Sequence, residues 1–574
     1  MASPVEVLTE RFQGALAKAF GDEYAASDPV IRPSQFADFQ ANAALALAKR
    51  LGEQPRAVAQ RIVEALDLDD VAEAPEISGP GFVNVRLRDD WIAARVTHLG
   101  DRLGVPTQER QTIPVDYSAP NVAKEMHVGH LRTTVVGDAL VRTLEHLGHD
   151  VIRQNHVGDW GTPFGMLIEH LLAVGEDSPE AHELVTDPNA FYAAAREEFE
   201  GDQDFAQRAR TRVVRLQAGD ADTLRLWDEL VALSKQYFNR IYAVLGVTLT
   251  DADLAGESTY NDELAQICDE LEAKGLATVS DGALCVFLDG YLGREGKPVP
   301  LIIRKSDGGY GYGTTDLATI RHRVRDLHAD RILYVIGAPQ ALHLHMVWDT
   351  ARLAGWLPDD VEVVHVQIGN VLGPDRKILR TRAGNPLKLM ELLDEAVTRA
   401  REVVDEARPD LDPAVRAAIA PQVGIGAVKY ADLSVAHDSE YVFDLDRMVS
   451  LTGNTGPYLQ YAAARIRSIF RTAGTTPAEA DAAVVLTEPA ERALALALVD
   501  FGDVVVQVGD QLEPHRLCGY LFELAQHFSA FYEQCPVLKA DAETRASRLA
   551  LCAATLAVLD QGLDLLGIAR PEQM

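Results

Sequence analysis

Thirteen residues carry the groups best suited to chemistry: Ser118-Ala119-Pro120-Asn121-Val122-Ala123-Lys124-Glu125-Met126-His127-Val128-Gly129-His130. His127 and His130 are one helical turn apart, so both imidazoles can face one ligand. Imidazole N–H groups can stabilise a phosphate whose charge is shifting, and Lys124 adds a full positive charge on the same side. If a helix starts here, its N-terminus offers free N–H groups and a positive dipole end to an anion. Gly129 removes a side chain where an adenine or ribose would approach the backbone. Two other readings stay open. The pair could ligate a metal, although no HExxH spacing or third ligand accompanies it, or could cap a helix. No Walker A string occurs, which disfavours a P-loop mechanism.

Such a pair needs a strand–turn–helix unit to hold it. The pattern predicts a strand over 113–117, a Ser-Ala-Pro-Asn turn, and a helix with Val128, Leu131, Val135, Ala139 and Leu144 on one face. Gly148 stops that helix and a strand begins at Val151. This is a βαβ unit, and it implies a parallel sheet. Acidic helical sequence interrupts the alternation over about 162–290 and reads as an insertion. Strand signals at 301–303, 331–336 and 361–368 then predict that the doubly wound sheet resumes. Upstream, helical periodicity at 5–20, 35–51, 56–66 and 91–103 surrounds a strand at 82–87. From about 388 onward nearly everything has helical period, including 414–430, 458–470, 490–508 and 546–566. The expected organisation is an N-terminal α/β module (1–112), a Rossmann-like catalytic domain (113–387, insertion about 162–290) and an all-α C-terminal domain (388–574).

Composition bounds the rest. The chain has 574 residues, 47% of them hydrophobic and 24% charged, in keeping with ordinary globular sequence. It has no apolar run of the roughly 18 residues a membrane helix requires. The N-terminus lacks a secretory pattern, and five scattered cysteines form no CxxC pair, so a reduced cytoplasm is expected with the thiols buried. The net charge of −32 argues on its own against nucleic-acid binding. A sum over the chain does not describe a local cleft, however, and basic clusters stand at Arg321-His322-Arg323-Val324-Arg325 and at Arg465, Arg467 and Arg471. Taken alone, each reads as a solvated helix face.

His127-Val128-Gly129-His130 resembles the HIGH signature of class I aminoacyl-tRNA synthetases, and the run from Asp116 to His130 resembles the arginyl-tRNA synthetases in particular. Further similar strings follow in order. They are Gly158-Asp159-Trp160-Gly161-Thr162, Tyr312-Gly313-Thr314-Thr315-Asp316-Leu317-Ala318, Gln340, the run from Gly453 to Ala462, and the closing Leu566 to Met574. The resemblance implies ATP-dependent joining of L-arginine to tRNA(Arg) through an adenylate. It implies that Asp316 takes the guanidinium with help from Tyr312, a fork of donors that wants a carboxylate. Asn121 and Gln340 would hold the amino and carboxylate groups, with Asp116 or Ser118 nearby. Alone, Asp316 reads as a helix cap and Tyr312 as core.

The second class I signature departs from its pattern. Its place falls at 373–384, where Lys377, Arg380 and Arg382 supply positive charge, and the resemblance implies that Lys124 compensates. His127, His130, Lys124 and this loop are the expected stabilisers of the transition state. Mg²⁺ would arrive with ATP, with no protein-ligated metal expected. In the C-terminal domain Asn454, Tyr458, Tyr461, Arg465 and Arg467 would meet tRNA, aromatic rings beside cations suiting unstacked bases. Packing explains the two tyrosines about as well. Tyrosines and arginines aside, the resemblance implies that the N-terminal module touches the tRNA elbow. A monomer with no membrane association is expected. The competing readings are a small-molecule nucleotidyltransferase, a class I synthetase for another amino acid, and a catalytically silent relative that only binds.

Overall fold

The strand β1 (Thr112–Asp116) buries residues on both faces, as a central parallel strand must. In the computed structural model, which describes residues 2–122, 124–293, 296–380 and 387–574, β1 lies in a four-stranded parallel sheet. The helix α1 (Val128–Leu147) crosses to β2 (Asp150–Gln154), beside β1. After a long excursion come the helix α2 (Tyr312–Arg325), β3 (Arg331–Gly337), the helix α3 (Ala341–Leu353) and β4 (Glu362–Ile368). The spatial order is β4-β3-β1-β2, so the chain leaves β1 toward one edge and later returns on the other side. The crevice between the C-terminal ends of β1 and β3 is therefore a topological switch point, where open α/β sheets bind ligands.

One expected strand belongs elsewhere. Residues 301–303 fall in Pro298–Arg304, which pairs antiparallel with Ala283–Leu292 and through it with Ala277–Ser280. Leu301 and Ile303 are buried while Ile302 is 45% exposed. That one-sided alternation suits a sheet with one wet face, not a parallel strand buried on both. The excursion is otherwise helical, with Thr162–Val174, Pro188–Gly201, Gln203–Gln217 and the long Ala221–Leu245.

At the N-terminus, Phe82–Val85 sits in a four-stranded antiparallel sheet covered by Pro4–Phe20 and Pro55–Ala65. The helix expected over 35–51 forms only as Ala43–Leu51. Its first part is the strand Phe39–Ala41, whose buried Phe39 and Ala41 alternate with Gln40 against Phe82–Val85. The 91–103 helix ends at Thr97.

The C-terminal third is helical from Leu389–Ala407 through Pro413–Leu433, α4 (Gly456–Ala473), His515–Gln534 and Ala542–Leu565. The helix expected over 490–508 is two, Pro489–Val499 and Phe501–Gln511. Both pack on His515–Gln534, but the first also packs on Asp89–Thr97 and the second on α1. All five cysteines are buried and unpaired. No helix among the described residues is long and apolar enough to cross a membrane.

A buried ion pair fastens this helical part to α1. Arg132 Nε donates to Asp432 Oδ1 at 2.8 Å, both side chains lying out of solvent, and Nη1 donates to the Ser439 carbonyl at 2.6 Å. Removing one partner strands a charge in low dielectric. Arg132→Met should therefore lower unfolding stability by roughly 3–5 kcal/mol in denaturant melts, and adding Asp432→Leu should restore part of it.

Candidate active site

Left-handed backbone at Ser118 (φ 69°) and Ala119 (φ 44°) turns the chain sharply after β1. The turn is pinned from within. Ser118 Oγ lies 2.8 Å from the Tyr242 hydroxyl and accepts from Thr134 Oγ1 at 2.8 Å, while Ala119 N–H donates to Asn155 Oδ1 at 3.1 Å. The Ser118 side chain is thus occupied in holding the loop that leads to His127.

His127 and His130 cap α1 reciprocally. Gly129 N–H donates to His127 Nδ1 and His127 N–H donates to His130 Nδ1, both at 3.1 Å. An Nδ1 that accepts carries no proton, so in each neutral ring the proton sits on Nε2. The ring centroids are 4.0 Å apart. Burial holds both imidazoles neutral: His130 is pushed down to about 3 by burial and then by His127, and His127 is lowered by burial and the Lys124 charge. The first N–H groups of the helix are not free, contrary to expectation. Val128 N–H donates to the Leu387 carbonyl, Gly129 N–H to His127 Nδ1 and His130 N–H to the His127 carbonyl. The donors left at this helix start are the imidazole Nε2–H groups. Gly129 is needed for a related reason: a Cβ there would fall 2.8 Å from the His127 ring, so the close approach comes from that imidazole.

Both histidines line a cleft of about 740 Å³ at the switch point, together with Asn121, Tyr312, Asp316 and Gln340. Asp116, Ser118, Gly129 and Arg380 also border it. Asp316 is half-buried on α2. His343 Nε2 lies 2.5 Å from its Oδ2 and His156 Nε2 3.6 Å from its Oδ1. Burial pushes its carboxyl up, but the His343 hydrogen bond and charge, with His156 and Arg323, outweigh that and hold it below the usual range. Tyr312 is 68% exposed and packs edge-on to His343 at 4.8 Å. A second carboxylate, Glu257, lines the same end and is pushed up to about 6, first by burial, with Asp316 and Asp159 adding to it and His156 opposing. Two acids lining one cleft within electrostatic reach of each other make it a place for a cation.

Asp116 is already engaged. Its Oδ2 accepts from Arg323 Nη2 at 2.8 Å, and the Arg323 guanidinium lies 5.0 Å from the Tyr334 ring centre. The cluster expected as a solvated face is therefore partly core: Arg323 is 0% exposed, and Arg321, also buried, pairs with Glu263 and Glu270.

Lys124 lies outside this cleft, in an adjoining cavity of about 600 Å³ whose wall includes both signature histidines. Lys377 is exposed in a tight turn where its N–H meets Asp375 Oδ1 at 3.2 Å, and among the described cations of the basic loop only Arg380 lines the cleft. Arg382 lies outside the described residues. On α4, Tyr461 is exposed and Arg465 lies 4.1 Å from the Tyr532 ring centre. The other three residues singled out there hold the fold. Tyr458 packs on Phe522, Arg467 binds both oxygens of Asp560 at 2.8 Å, and Asn454 Oδ1 accepts from the Tyr430 hydroxyl at 2.5 Å.

His156, Glu257 and His343 were missed from sequence. Glu257 could have been found through Asp159, whose oxygens accept from Ser258 N–H at 2.9 Å and Ser258 Oγ at 2.7 Å. That clamp holds the segment beginning at Gly256, where a Cβ would fall 2.3 Å from Asp159 Oδ2, against the loop after β2. The Gly158-Asp159-Trp160 string is the holder of Glu257.

Comparison with known proteins gives three family matches. Residues 95–445 match class I (R) tRNA synthetases, catalytic domain; 459–574 match the DALR anticodon binding domain; and 6–87 match the arginyl tRNA synthetase N terminal domain. The arginine–tRNA ligase of Thermobifida fusca is 72% identical, covering all of both chains, and that of Frankia casuarinae is 55% identical over 96% of each. Among solved structures, the arginyl-tRNA synthetase of Plasmodium falciparum superposes with a TM-score of 0.84 at 28% identity, covering both chains fully. That of Thermus thermophilus gives 0.79 at 25% identity, covering 99% of this chain and all of that one.

Proposed function

The chain belongs to the arginyl-tRNA synthetase family of class I, and on that premise we propose how its own residues divide the work. The reaction is ATP-dependent ligation of L-arginine to tRNA(Arg) through arginyl-adenylate, with release of AMP and pyrophosphate. The observation that carries the residue roles is one cleft with two carboxylates at one end and two neutral, Nε2-protonated imidazoles bordering it as well.

The guanidinium lies against Asp316 and Glu257, with Tyr312 covering it. Asn121 and Gln340 take the amino and carboxylate groups. Asp116 and Ser118 act behind them, one anchored by Arg323 and the other by Tyr242. The arginine carboxylate attacks the α-phosphorus in line as the bond to pyrophosphate breaks. The histidine Nε2–H groups, Lys124 and Arg380 stabilise the charge on the phosphates, because such transfers depend on positioning and electrostatics. ATP enters as its Mg²⁺ complex. In the second step the terminal 2′-hydroxyl of tRNA attacks the carbonyl and AMP leaves. Residues 1–112 meet the tRNA elbow, 113–387 perform the chemistry and 388–574 read the anticodon, with Tyr461 and Arg465 beside Tyr532 as the stacking surface. A cytoplasmic location fits the five unpaired thiols. A monomer suffices, because every group invoked lies on one chain.

Charging assays test the reading. Arginine should be esterified to tRNA(Arg), while citrulline, the neutral isostere, and lysine should not compete at tenfold excess; efficient citrulline use would overturn the role of the two acids. Glu257 adds a pH signature. A carboxyl raised to about 6 is ionised above that pH and neutral below it. The KM for arginine should therefore rise as pH falls through about 6, and Glu257→Gln should carry the high value at every pH.

A further inference from the structure

The insertion helix Pro188–Gly201 grips the signature loop from outside the cleft. Glu125 N–H donates to Asn189 Oδ1 at 3.1 Å while Asn189 Nδ2 donates back to Glu125 Oε2 at 2.7 Å. Lys388 Nζ joins the same carboxylate at 2.7 Å and reaches Asp187, the cap of the insertion helix, at 3.7 Å. One turn farther along, the Tyr192 ring carries the Lys124 ammonium 4.0 Å from its centre. We infer that Tyr192 is a positioning residue: with Asn189 holding the loop, its ring sets where the Lys124 charge stands beside the paired imidazoles.

Three facts support this. The cavity of about 600 Å³ between helix and loop is walled by Lys124, both histidines and Asn189. The Lys124 charge contributes to lowering the His127 pKa, so ammonium and imidazole are within electrostatic reach. A lysine stem has four rotatable bonds, and a ring face favours a small part of that freedom. The inference rests on the proposed role of Lys124 at the ATP phosphates.

ATP–pyrophosphate exchange on the full chain, with tRNA(Arg) present, tests it. Lys124→Met should impair exchange; if it does not, the Lys124 role itself is wrong and the inference falls with it. Given that impairment, Tyr192→Leu should raise KM for ATP or lower kcat by roughly three- to tenfold, the range of a partly desolvated cation–π contact. It should leave the KM for arginine unchanged, and Tyr192→Phe should retain parental values. In the Lys124→Met background Tyr192→Leu should cost nothing further. A Tyr192→Leu variant equal to the parent, or one whose loss is undiminished without Lys124, would overturn the positioning role while leaving that of Lys124 intact. Urea melts of each variant separate either result from loss of folding.

Discussion

Asp316→Asn is expected to lower kcat/KM for arginine about 10²–10³-fold while leaving the KM for ATP near the parental value. The size follows from removing the permanently ionised member of the two acids set against the guanidinium, since taking one partner out of a half-buried charge pair costs roughly 3–5 kcal/mol. Asparagine keeps the shape and one acceptor oxygen, so the loss isolates the charge. The His343 and His156 contacts hold the Asp316 carboxyl below its usual range, and it stays ionised across the working pH. The penalty should therefore persist at both pH 6 and pH 8. Glu257 differs: its carboxyl, raised to about 6, brings an acid limb. Steady-state exchange at the two pH values separates the two acids.

The second large effect concerns the imidazoles. His130→Asn should reduce the rate of adenylate formation about 10²–10³-fold, the usual cost of losing one preorganised donor to a developing charge. Asparagine can place its oxygen where Nδ1 stood and still accept from His127 N–H. The melting midpoint should then change little while the donor at Nε2 is gone. His130→Gln, whose amide reaches farther, should recover part of the rate. Because His130 is held down at about 3, it is neutral throughout the assay range, and no acid limb in the chemical step should trace to it. Losses at His127 and His130 should combine to less than their product, since the two rings are in contact, with centroids 4.0 Å apart.

The parallel sheet was legible because a turn with Gly129 and two histidines between a strand and an amphipathic helix leaves few alternatives. Local pattern could not say which strand pairs with which. Leu301-Ile302-Ile303 is the same short apolar run in either sheet, and only the exposed Ile302 separates them. The break at Asp500 was invisible for a similar reason, as one helical period serves two packing partners. At the site, residues inside strings that resemble the family were readable, Tyr312, Asp316 and Gln340 included, whereas His156, Glu257 and His343 lie outside those strings and were not. His156 reaches the cleft on the loop after β2, and Glu257 at the start of the short helical turn Glu257–Tyr260, which Asp159 folds in. The tautomers of the histidines depend on backbone hydrogen bonds that no spacing encodes. The five-residue basic cluster misled, because charge in a sequence says nothing of its partners and Arg323 is core.

The central claim is that Asp316 and the imidazole pair act on two parts of one molecule held in a single cleft. Calorimetric titration of a non-hydrolysable arginyl-adenylate analogue tests it most directly, with arginine and ATP titrated separately. Asp316→Asn should weaken arginine and spare ATP, His130→Asn should weaken ATP and spare arginine, and each should weaken the analogue. Analogue binding that responds to His130→Asn but ignores Asp316→Asn would contradict the account.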